Sequence, residues 1–597
     1  MANDGQLPLI AFVFRPVEIA YSTVAMARRT GAKAIFDLSS ISPDSVETDL
    51  LKAGSTRDMV DLKISSSSLM ASGLEDLLNR IGINRLWVEL PPIHVDYEVH
   101  ALLQRIVQLS QTISVIPMVS AVDIIQLIVT GFPDIRNMAI KGNEASGFVG
   151  TETTFTLYSS VRSMLRDSVD APDLFIWGGI ALPETAAAFL SAGAKGIVFE
   201  SLHWLTDLSV VNPVLRTKIS KLRPHQTDLV GLNLGVPCRL FNKGNSVAVK
   251  ELKRFHGSLC GNEITGETRR LFQARIVGKA VHALESELSR EELIPLGVEA
   301  AFADSFVRRY GSKTEDAVYA FVEAISSCCA NSVNKARAFE NSHFAFEMGT
   351  VYPFIQGAMS WITDIPEFAL RVAEAGGLPT IALGVMDVAT LDQRLARLPE
   401  IMGNRPYAVN VITLPENPYR EVHLAWIRDK RPRFATIAAG EPSHAALLTA
   451  EGIDVLYVAP NEELLKLAFE AGIRYVICEG NEAGGHVGQH SILTLAQTVL
   501  DLKHQDPGLF EGRTIVLAGG IFNRETAFMA AMMGADAIQM GTAYLGTEEI
   551  VSSGALSQLY QHTVLQAGLN ATVVTGEGTG LSAVSYTHLT LPTNREV

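Results

Sequence analysis

Short apolar runs alternate with amphipathic stretches along the second half of the chain. Eight such runs occur in order: FIQGAM, TIALGV, AVNVI, FATIAA, VLYVA, YVICEG, TIVLAGG and AIQMGT. The stretches between them, such as NEELLKLAFEAG, have helical periodicity, and several end in a glycine that can cap a helix. This alternation predicts buried parallel strands connected by helices. Eight near-equal units favour a closed (β/α)8 barrel over a flat doubly wound sheet.

The first half of the chain shows the same rhythm. Its eight runs are PLIAFVF, KAIFDL, DLKIS, RLWVEL, SVIPMV, NMAIKG, LFIWGG and GIVFES. We therefore predict an α/β fold with two tandem (β/α)8 TIM barrels, one over residues 1–210 and one over 344–584. Residues 211–343 fit neither barrel, and we predict a small α+β connector there, with a β-hairpin turning at Lys243–Asn245.

The two halves are also related in sequence. KGNEASGFVG (141–150) and EGNEAGGHVG (479–488) are identical at seven of ten positions. Further on, WGGIALPETAAAFLSAGAKGIVFESLHWLT aligns with AGGIFNRETAFMAAMMGADAIQMGTAYLGT without a gap. This repeat supports a duplicated barrel. From Ser585 on, SYTHLTLPTNREV continues no earlier pattern, so we interpret 585–597 as an artefactual tail and expect the intact protein to be longer.

Composition and charge narrow the functional classes. The net charge of −15 disfavours binding to nucleic acid, because an acidic surface repels phosphate backbones. No apolar run is long enough to span a membrane, and no basic segment precedes the first run, so we expect a cytoplasmic protein. The five cysteines show no CxxC spacing, which predicts reduced thiols and no metal site.

The candidate chemistry follows the strands of the second barrel, because active sites of this fold lie at the carboxyl ends of the strands. Glycines follow strands seven and eight and leave backbone N–H groups unobstructed, which favours an anion pocket; turn capping is the alternative. The Thr542 hydroxyl can add a hydrogen bond. The residues at the strand ends are Gln356, Met359, Asn410, Gly484, Gly485, His486, Gly519, Gly520, Gly541 and Thr542.

The side chains at these strand ends can have a chemical or a purely structural role. His486 can exchange a proton near neutral pH, whereas a lone histidine is more often a surface or core residue. Asn410 can bind the edge of a heterocycle, or it can be a buried amide satisfied by the neighbouring strand. Gln356 and Met359 can be packing residues. We interpret Glu482 as a residue that caps a turn or holds a loop.

Together these motifs resemble the nitronate monooxygenase family, over about 200 residues. PFIQGAMSWITD resembles the opening strand of that family, EAGGHVG its histidine signature, and LAGGI with AIQMGTAYLGTEE its phosphate-binding strands. The resemblance implies a non-covalent FMN cofactor and oxidation of nitronates or nitroalkanes by dioxygen, with His486 as the catalytic base. It implies cofactor contacts from Gln356, Met359, Asn410, Glu479, Gly484, Gly485, Gly519, Gly520, Gln539, Met540, Gly541 and Thr542.

Two departures from the family pattern bear on the substrate. Many members have a proline where this chain has Ala358, and a glutamine often stands at the position of Glu479. A carboxylate at 479 disfavours an electron-rich reduced flavin unless it is turned away or paired.

Other functions are kept open. Flavin-dependent enoyl reductases of fatty-acid and polyketide synthases share the GGH signature, so NAD(P)H-dependent reduction of a carrier-bound acyl chain, with further synthase domains downstream, is the main alternative. A non-catalytic scaffold is the third possibility.

The first barrel lacks several of these features. Phe148 occupies the position of His486, Glu200 that of Gly541, and Ser201 that of Thr542. A glutamate at the phosphate position opposes an anion. We hypothesise that the first barrel binds no FMN and has become a scaffold.

Overall fold

The computed structural model of the protein describes residues 8–14, 20–39, 59–91, 97–168, 170–242, 246–259, 264–280, 292–384, 386–567, 572–575 and 582–586. The chain forms two compact units, residues 1–330 and 331–597. The predicted boundaries at 210 and 343 stay predictions. Among the described residues, no helix combines the length and the apolar character that a membrane crossing requires.

The first unit contains a closed barrel of eight parallel strands, as predicted. The strands of this part of the chain are β1 (Leu9–Phe14), β2 (Lys33–Asp37), β3 (Val60–Ser65), β4 (Arg85–Glu89), β5 (Ser114–Val119), β6 (Asn137–Ile140), β7 (Gly147–Phe148), β8 (Asp173–Trp177) and β9 (Gly196–Phe199). All except β7 form the barrel, which closes where β9 pairs with β1. Each of the eight barrel strands coincides with one of the predicted apolar runs, whereas β7 lies outside them.

Helices cover this barrel and continue after it. The helices of the first unit are Ala20–Thr30, Ser66–Leu69, Leu74–Ile81, Tyr97–Leu109, Val122–Gly131, Thr154–Met164, Pro183–Ser191, Pro213–Ile219, Val247–Leu259, Gly266–Val277, Ala303–Tyr310 and Thr314–Ala330. Short 3-10 helices lie at Pro224–Gln226, Leu232–Leu234 and Val298–Phe302.

The predicted hairpin at Lys243–Asn245 is wrong. Those three residues lie outside the described part, but the strand before them, β11 (Cys238–Phe241), pairs upstream with β10 (Thr227–Val230). The segment after them is the helix Val247–Leu259. Its buried residues recur with helical spacing, which overrides the β-branched start of the segment; they are Ala248, Val249 and Leu252.

The second unit contains the second predicted barrel. Its strands are β12 (Phe354–Gln356), β13 (Leu378–Ala382), β14 (Ala408–Ile412), β15 (Phe434–Ala438), β16 (Asp454–Ala459), β17 (Tyr475–Glu479), β18 (Gly485–Val487), β19 (Thr514–Ala518), β20 (Ala537–Met540), β21 (Thr572–Thr575) and β22 (Ser582–Tyr586). Eight of them close the barrel in the order β12-β13-β14-β15-β16-β17-β19-β20. Again every predicted run forms a strand.

Several helices of this unit begin at good capping residues. Asn461 and Asn523, for example, accept the N–H groups of Leu464 and Thr526 at 2.9 Å and so start two of the helices. The helices are Ser332–Glu340, His343–Met348, Pro366–Glu374, Val388–Arg394, Leu398–Met402, Arg420–Lys430, Ser443–Ala450, Glu462–Glu470, Ile492–Gln505, Arg524–Met532, Glu548–Ser552 and Gln558–Gln566, with 3-10 helices at Pro507–Phe510 and Thr542–Gly546.

The duplication extends beyond the barrels. In the first unit β10 and β11 form a hairpin, and β11 pairs with β7; in the second unit β21 and β22 form a hairpin, and β22 pairs with β18. The registers correspond, since Phe148 lies opposite Cys238 and His486 opposite Ala583. The two hairpin sequences, TDLVGLNLGVPCRLF and TVVTGEGTGLSAVSY, have the same length and share a threonine and two glycines.

The second hairpin crosses the boundary predicted for the tail, because β22 includes Ser585 and Tyr586. Residues 587–597 lie outside the described part of the chain, so the interpretation of the tail stays a prediction.

Candidate active site at the mouth of the second barrel

Strand alternation decides which side chains line the mouth of the second barrel. The apolar interior includes Ala408 on β14, Ile477 on β17 and Ala537 on β20. Two residues further along each strand, on the same face, stand Asn410, Glu479 and Gln539. The register agrees, since Glu479 lies opposite Ala518, and Ala518 opposite Gln539. Three predicted residues therefore share the mouth layer.

Asn410 is 6% exposed, and its amide donates to the carbonyl of Thr436 on the next strand over 3.3 Å. Asn410 is therefore a buried amide with one hydrogen bond to the neighbouring strand, as its structural interpretation predicts. Around it, the buried hydroxyls of Thr380 and Thr436 have no hydrogen-bond partner among the described residues. Buried hydroxyls without a partner are costly, so this interior is suited to a polar ligand or water. Sequence reasoning missed both threonines, although their alternation with apolar residues is a usable signal.

Gln356 holds two strands together. Its side-chain oxygen accepts the N–H of Thr380 over 3.1 Å, and its side-chain nitrogen donates to the carbonyl of Gly357. Its neighbour Ile355 belongs to the barrel interior, so alternation directs Gln356 to the opposite face. This geometry favours a structural role, and its predicted contact with a cofactor stays untested.

The first strand end brings Met359 close to the glycine after strand eight. Met359 packs against an apolar cluster that includes Phe368 and Leu545. Its sulfur lies 3.9 Å from the position that a Cβ at Gly541 would occupy. The sequence-predicted Met359 and Gly541 are therefore neighbours.

Glu479 is half-buried at the mouth, and its carboxyl has neither a hydrogen-bond nor an ion-pair partner within the described ranges. Burial without a counter-charge raises the pKa of Glu479 to about 8. The carboxyl is therefore largely protonated at neutral pH. The sequence analysis required a carboxylate at this position to be turned away or paired. Glu479 faces the mouth and is unpaired within the described residues, but a neutral carboxyl does not repel an electron-rich ring.

The loop after β17 is tied down by its glutamate. Glu482 accepts the N–H of Ile492 at the start of the helix Ile492–Gln505, over 2.8 Å. A Cβ at Gly480 would lie 2.3 Å from that carboxylate, so only glycine fits there. The predicted role of Glu482 in holding a loop is confirmed. In contrast, a Cβ at Gly484 or Gly485 would meet no atom of the described residues within 4 Å.

His486 is the central residue of β18, and its backbone lies opposite Ala583 of β22. Its side chain lies outside the described part of the structure, so its catalytic position stays a prediction.

The turns after strands seven and eight contain the predicted glycines, and whether they bind an anion stays a prediction. Gly519 and Gly520 have φ angles of +116° and +66°, which side-chain-bearing residues rarely adopt. Thr542 begins the 3-10 helix Thr542–Gly546, so the first N–H groups of that turn have no partner within it. Within the described residues, those of Thr542 and Ala543 also find no acceptor elsewhere. Two N–H groups next to Gly541 are therefore without an acceptor among the described residues.

Gln539 and Met540 complete this end of β20. A Cβ at Gly357 would lie 3.1 Å from the Gln539 side chain, so that side chain reaches across to the first strand. The carbonyl of Met540 accepts the N–H of Gly357 over 2.8 Å. Met540 therefore contributes backbone closure of the barrel, and Gln539 contributes an amide to the mouth.

A depression of about 100 Å³ opens beside the first two strand ends, and sequence reasoning missed it. Trp361 lines it, is 49% exposed, and has a φ of +68°, a strained value for a non-glycine residue. Asp364 and Arg394 form an ion pair on its wall. A left-handed tryptophan leaves no sequence signal, because the loop around it imposes the angle.

Comparison with known proteins is consistent with this site. A family model described as nitronate monooxygenase matches residues 416–587. A probable nitronate monooxygenase from Staphylococcus saprophyticus is 30% identical over 270 residues, covering 39% of this chain and 74% of the relative. A nitroalkane oxidase structure from Streptomyces ansochromogenes has 26% identity and a TM-score of 0.33, covering 40% of this chain and 78% of that one.

A third relative acts on a CoA-linked acid. It is the (3aS,4S,5R,7aS)-5-hydroxy-7a-methyl-1-oxo-octahydro-1H-indene-4-carboxyl-CoA dehydrogenase of Mycobacterium tuberculosis, which is 28% identical over 236 residues. That match covers 39% of this chain and 62% of the relative.

The barrel and the match to the nitronate monooxygenases define a class, the flavin-dependent oxidoreductases built on a (β/α)8 barrel. More narrowly, the chain belongs to the nitronate monooxygenase family. This confirms the membership that its sequence motifs predict.

Proposed function

We propose that the second barrel binds FMN non-covalently and uses it to oxidise nitronates or nitroalkanes with dioxygen. The observation that carries the proposal is the pair of open N–H groups on Thr542 and Ala543, beside Gly541, at the mouth of a barrel of this family. Backbone N–H groups without acceptors are suited to a phosphate, and turns after strands seven and eight are where this fold binds one.

The residues at the mouth fit the rest of the cofactor. The small side chains Ala382, Ala438 and Ala518 line the barrel opening and leave room for a flat ring. In the proposal, the amides of Asn410 and Gln539 hold the ring edge, Met359 flanks the phosphate turn, and the open space at Gly484 and Gly485 accepts the ring face. The remaining predicted contacts are Gly519, Gly520, Glu479, Gln356, Met540 and the Thr542 hydroxyl.

His486 is the proposed base. In this proposal its imidazole removes a proton from the carbon next to the nitro group, or orients a nitronate that is already deprotonated. Bound FMN supplies the redox chemistry, and the chain supplies orientation and proton transfer.

Anaerobic mixing tests the electron donor directly. The purified protein is loaded with FMN, freed of oxygen and mixed with propionate-3-nitronate or with NADPH, and the flavin absorbance is followed. We expect bleaching with the nitronate and none with NADPH. Bleaching by NADPH alone would contradict nitronate oxidation.

Enoyl reduction is the second candidate, and Glu479 is the observation that favours it. Reduction of a carbon–carbon double bond adds a hydride and a proton, so it needs an acid at the mouth. A carboxyl with a pKa of about 8 is a competent proton donor at neutral pH. The relative that acts on a CoA-linked acid makes an acyl thioester or carrier-bound acyl chain a reasonable substrate class.

A further inference from the structure

The turn after the eighth strand of the first barrel is occupied by another part of the chain. Ser201 and Leu202 correspond in the repeat to Thr542 and Ala543. Their N–H groups both donate to one carboxyl oxygen of Glu299, with 3.1 Å to the nitrogen of Leu202, and the Ser201 hydroxyl lies 3.3 Å from the same oxygen. The N–H groups that are open in the second barrel are satisfied here from within the chain.

A second carboxylate fills the space beside this turn. Glu200, at the position of Gly541, accepts the N–H of Ser146 over 2.8 Å and its hydroxyl over 2.9 Å. It also accepts the indole N–H of Trp177 over 2.8 Å. A Cβ at Gly178 would lie 2.5 Å from this carboxylate, so the glycine that persists in the first barrel now accommodates Glu200.

The place of a flat ring is filled as well. On strands two to four the mouth of the first barrel carries Asp37, Lys63 and Glu89, where the second barrel has Ala382, Asn410 and Ala438. The ammonium of Lys63 lies 3.2 Å from Asp37 and 3.1 Å from Glu89.

The fourth charge of this mouth closes the network. Lys141, at the position of Glu479, pairs with Glu89. Long side chains joined in ion pairs therefore occupy the opening that small side chains leave free in the second barrel.

The segment that carries Glu299 is docked on the loop after β6. The N–H of Val298 donates to the carbonyl of Glu144 over 2.8 Å, and Leu240 of β11 forms a bridge with Pro295. Gly297 packs tightly on this loop, since a Cβ there would lie 3.0 Å from the same carbonyl. These contacts hold Glu299 in place independently of its own hydrogen bonds.

Two neighbouring carboxyls coexist here because one of them keeps its proton. Burial, and then the charge of Glu200, raises the pKa of Glu299 to about 8. One oxygen of Glu299 accepts the N–H groups, while the other has no partner among the described residues and is the natural site of the proton. The arrangement thus satisfies the turn without placing two negative charges side by side.

We propose that the first barrel is self-liganded: Glu299 and Glu200 take the place that a cofactor phosphate takes in the second barrel, so the chain carries a single flavin. Only the identity of the ligand in the second barrel rests on the proposed function.

Stoichiometry is the first test. The full chain is stripped of flavin and titrated with FMN, for the wild type and for Gly541→Glu, which gives the second barrel the residue of the first. We expect one FMN per chain for the wild type and, at FMN concentrations that just saturate the wild type, almost none for the variant. Two FMN per chain, or one bound by Gly541→Glu with wild-type affinity, would overturn the proposal. If the wild type binds no FMN, the proposed function fails. The phosphate test below still decides whether Glu299 and Glu200 occupy the turn of the first barrel.

Inorganic phosphate is the second probe. The double variant Glu200→Gly, Glu299→Ala removes both carboxyls, and thermal unfolding is followed with increasing phosphate and, as a control for ionic strength, with chloride. We expect phosphate to raise the melting temperature of the double variant several degrees more than that of the wild type. An equal phosphate shift in both proteins would refute the self-liganded turn.

Glu299→Gln covers the case in which the double variant does not fold. A glutamine keeps the accepting oxygen and cannot ionise. We expect it to fold and to lose the pH dependence that a carboxyl with a raised pKa imposes, namely a decline in wild-type stability as the pH rises from about 5 through 8. An unchanged pH dependence in Glu299→Gln would contradict the placement of Glu299.

Discussion

The two barrels of this chain have the same strand order, and in each a hairpin pairs with the short strand after the sixth barrel strand, yet their mouths differ. In the second barrel the turn after strand eight begins with Gly541 and leaves two N–H groups open. In the first barrel the same turn begins with Glu200, and Glu299 accepts both N–H groups. The difference shows that a few side chains at the strand ends decide whether the N–H groups of this turn are satisfied from within the chain.

What the barrels share is equally informative. Glu144 and Glu482 occupy the same position in the repeat, and each accepts the first N–H of the following helix, at Thr154 over 2.7 Å and at Ile492 over 2.8 Å. A feature that persists in a barrel with Phe148 at the position of His486 is structural. The glutamate of this motif therefore builds the loop in both barrels, whatever the role of the histidine.

The largest expected effect comes from making the second barrel resemble the first at the histidine. His486→Phe introduces the residue found at Phe148. If His486 is the base, turnover falls by about 10²- to 10⁴-fold while flavin binding persists. Steady-state turnover and flavin absorbance of the purified variant measure the two effects.

An exposed histidine supplies the control for that experiment. His562→Ala, on the surface helix Gln558–Gln566, should leave turnover unchanged. Loss of bound flavin in His486→Phe would make His486 a structural residue.

The next largest effect is expected at the phosphate turn. Gly541→Glu places a carboxylate where the phosphate is proposed to bind and should weaken FMN binding about 100-fold, since close like charges cost several kcal/mol. Gly541→Ala is the matched control, because the nearest atom would be the Met359 sulfur at an ordinary 3.9 Å. Calorimetric titration of the flavin-free protein compares the two. Equal losses in both variants would point to crowding instead of charge.

The glutamates that both barrels share are expected to stabilise the fold. Glu482→Ala removes a carboxylate that accepts a helix N–H and should lower the free energy of unfolding by about 2 kcal/mol. Glu144→Ala should cost at least as much, because Glu144 also accepts the Thr154 hydroxyl over 2.7 Å. Urea unfolding measures both. A negligible loss in either variant would show that these carboxylates do not hold their loops.

The smallest effect is a pH dependence at Glu479. Because its folded pKa is raised to about 8 from an ordinary 4.5, the stability it contributes is present at low pH and is lost as the pH rises between those values. Glu479→Gln should therefore unfold with a flatter pH profile than the wild type. Melting temperatures between pH 5 and 9 measure the difference, and parallel profiles would mean that Glu479 ionises normally.

Sequence patterns predicted all strands of both barrels because each strand is a short apolar run between helices with clear periodicity. The glycine turns were also predictable, since Gly519 and Gly520 have φ values that glycine tolerates. The hairpins were not, because β7 pairs with β11 across roughly 90 residues and local sequence does not encode such pairing. The helix after β11 was predicted as a strand for a related reason: tertiary packing, and not the local sequence, decides which of its residues are buried.

The candidate site was predictable only in part. The positions of Asn410, Gln539 and Gly541 follow from strand alternation and the repeat. The protonation of Glu479 cannot be predicted in this way, because it depends on the burial of the carboxyl and on the charges around it in the folded chain. The contact between Glu299 and Ser201 cannot be predicted either, because the two residues are 98 positions apart and meet only in the folded chain.

Affinity for FMN compared with riboflavin tests the central claim most directly, because the two molecules differ only in the phosphate. Open N–H groups that bind that phosphate predict that the flavin-free wild type binds FMN about 100-fold more tightly than riboflavin, as charge-assisted hydrogen bonds to a phosphate are worth a few kcal/mol. Equal affinities for FMN and riboflavin would contradict a phosphate site at Gly541 and Thr542.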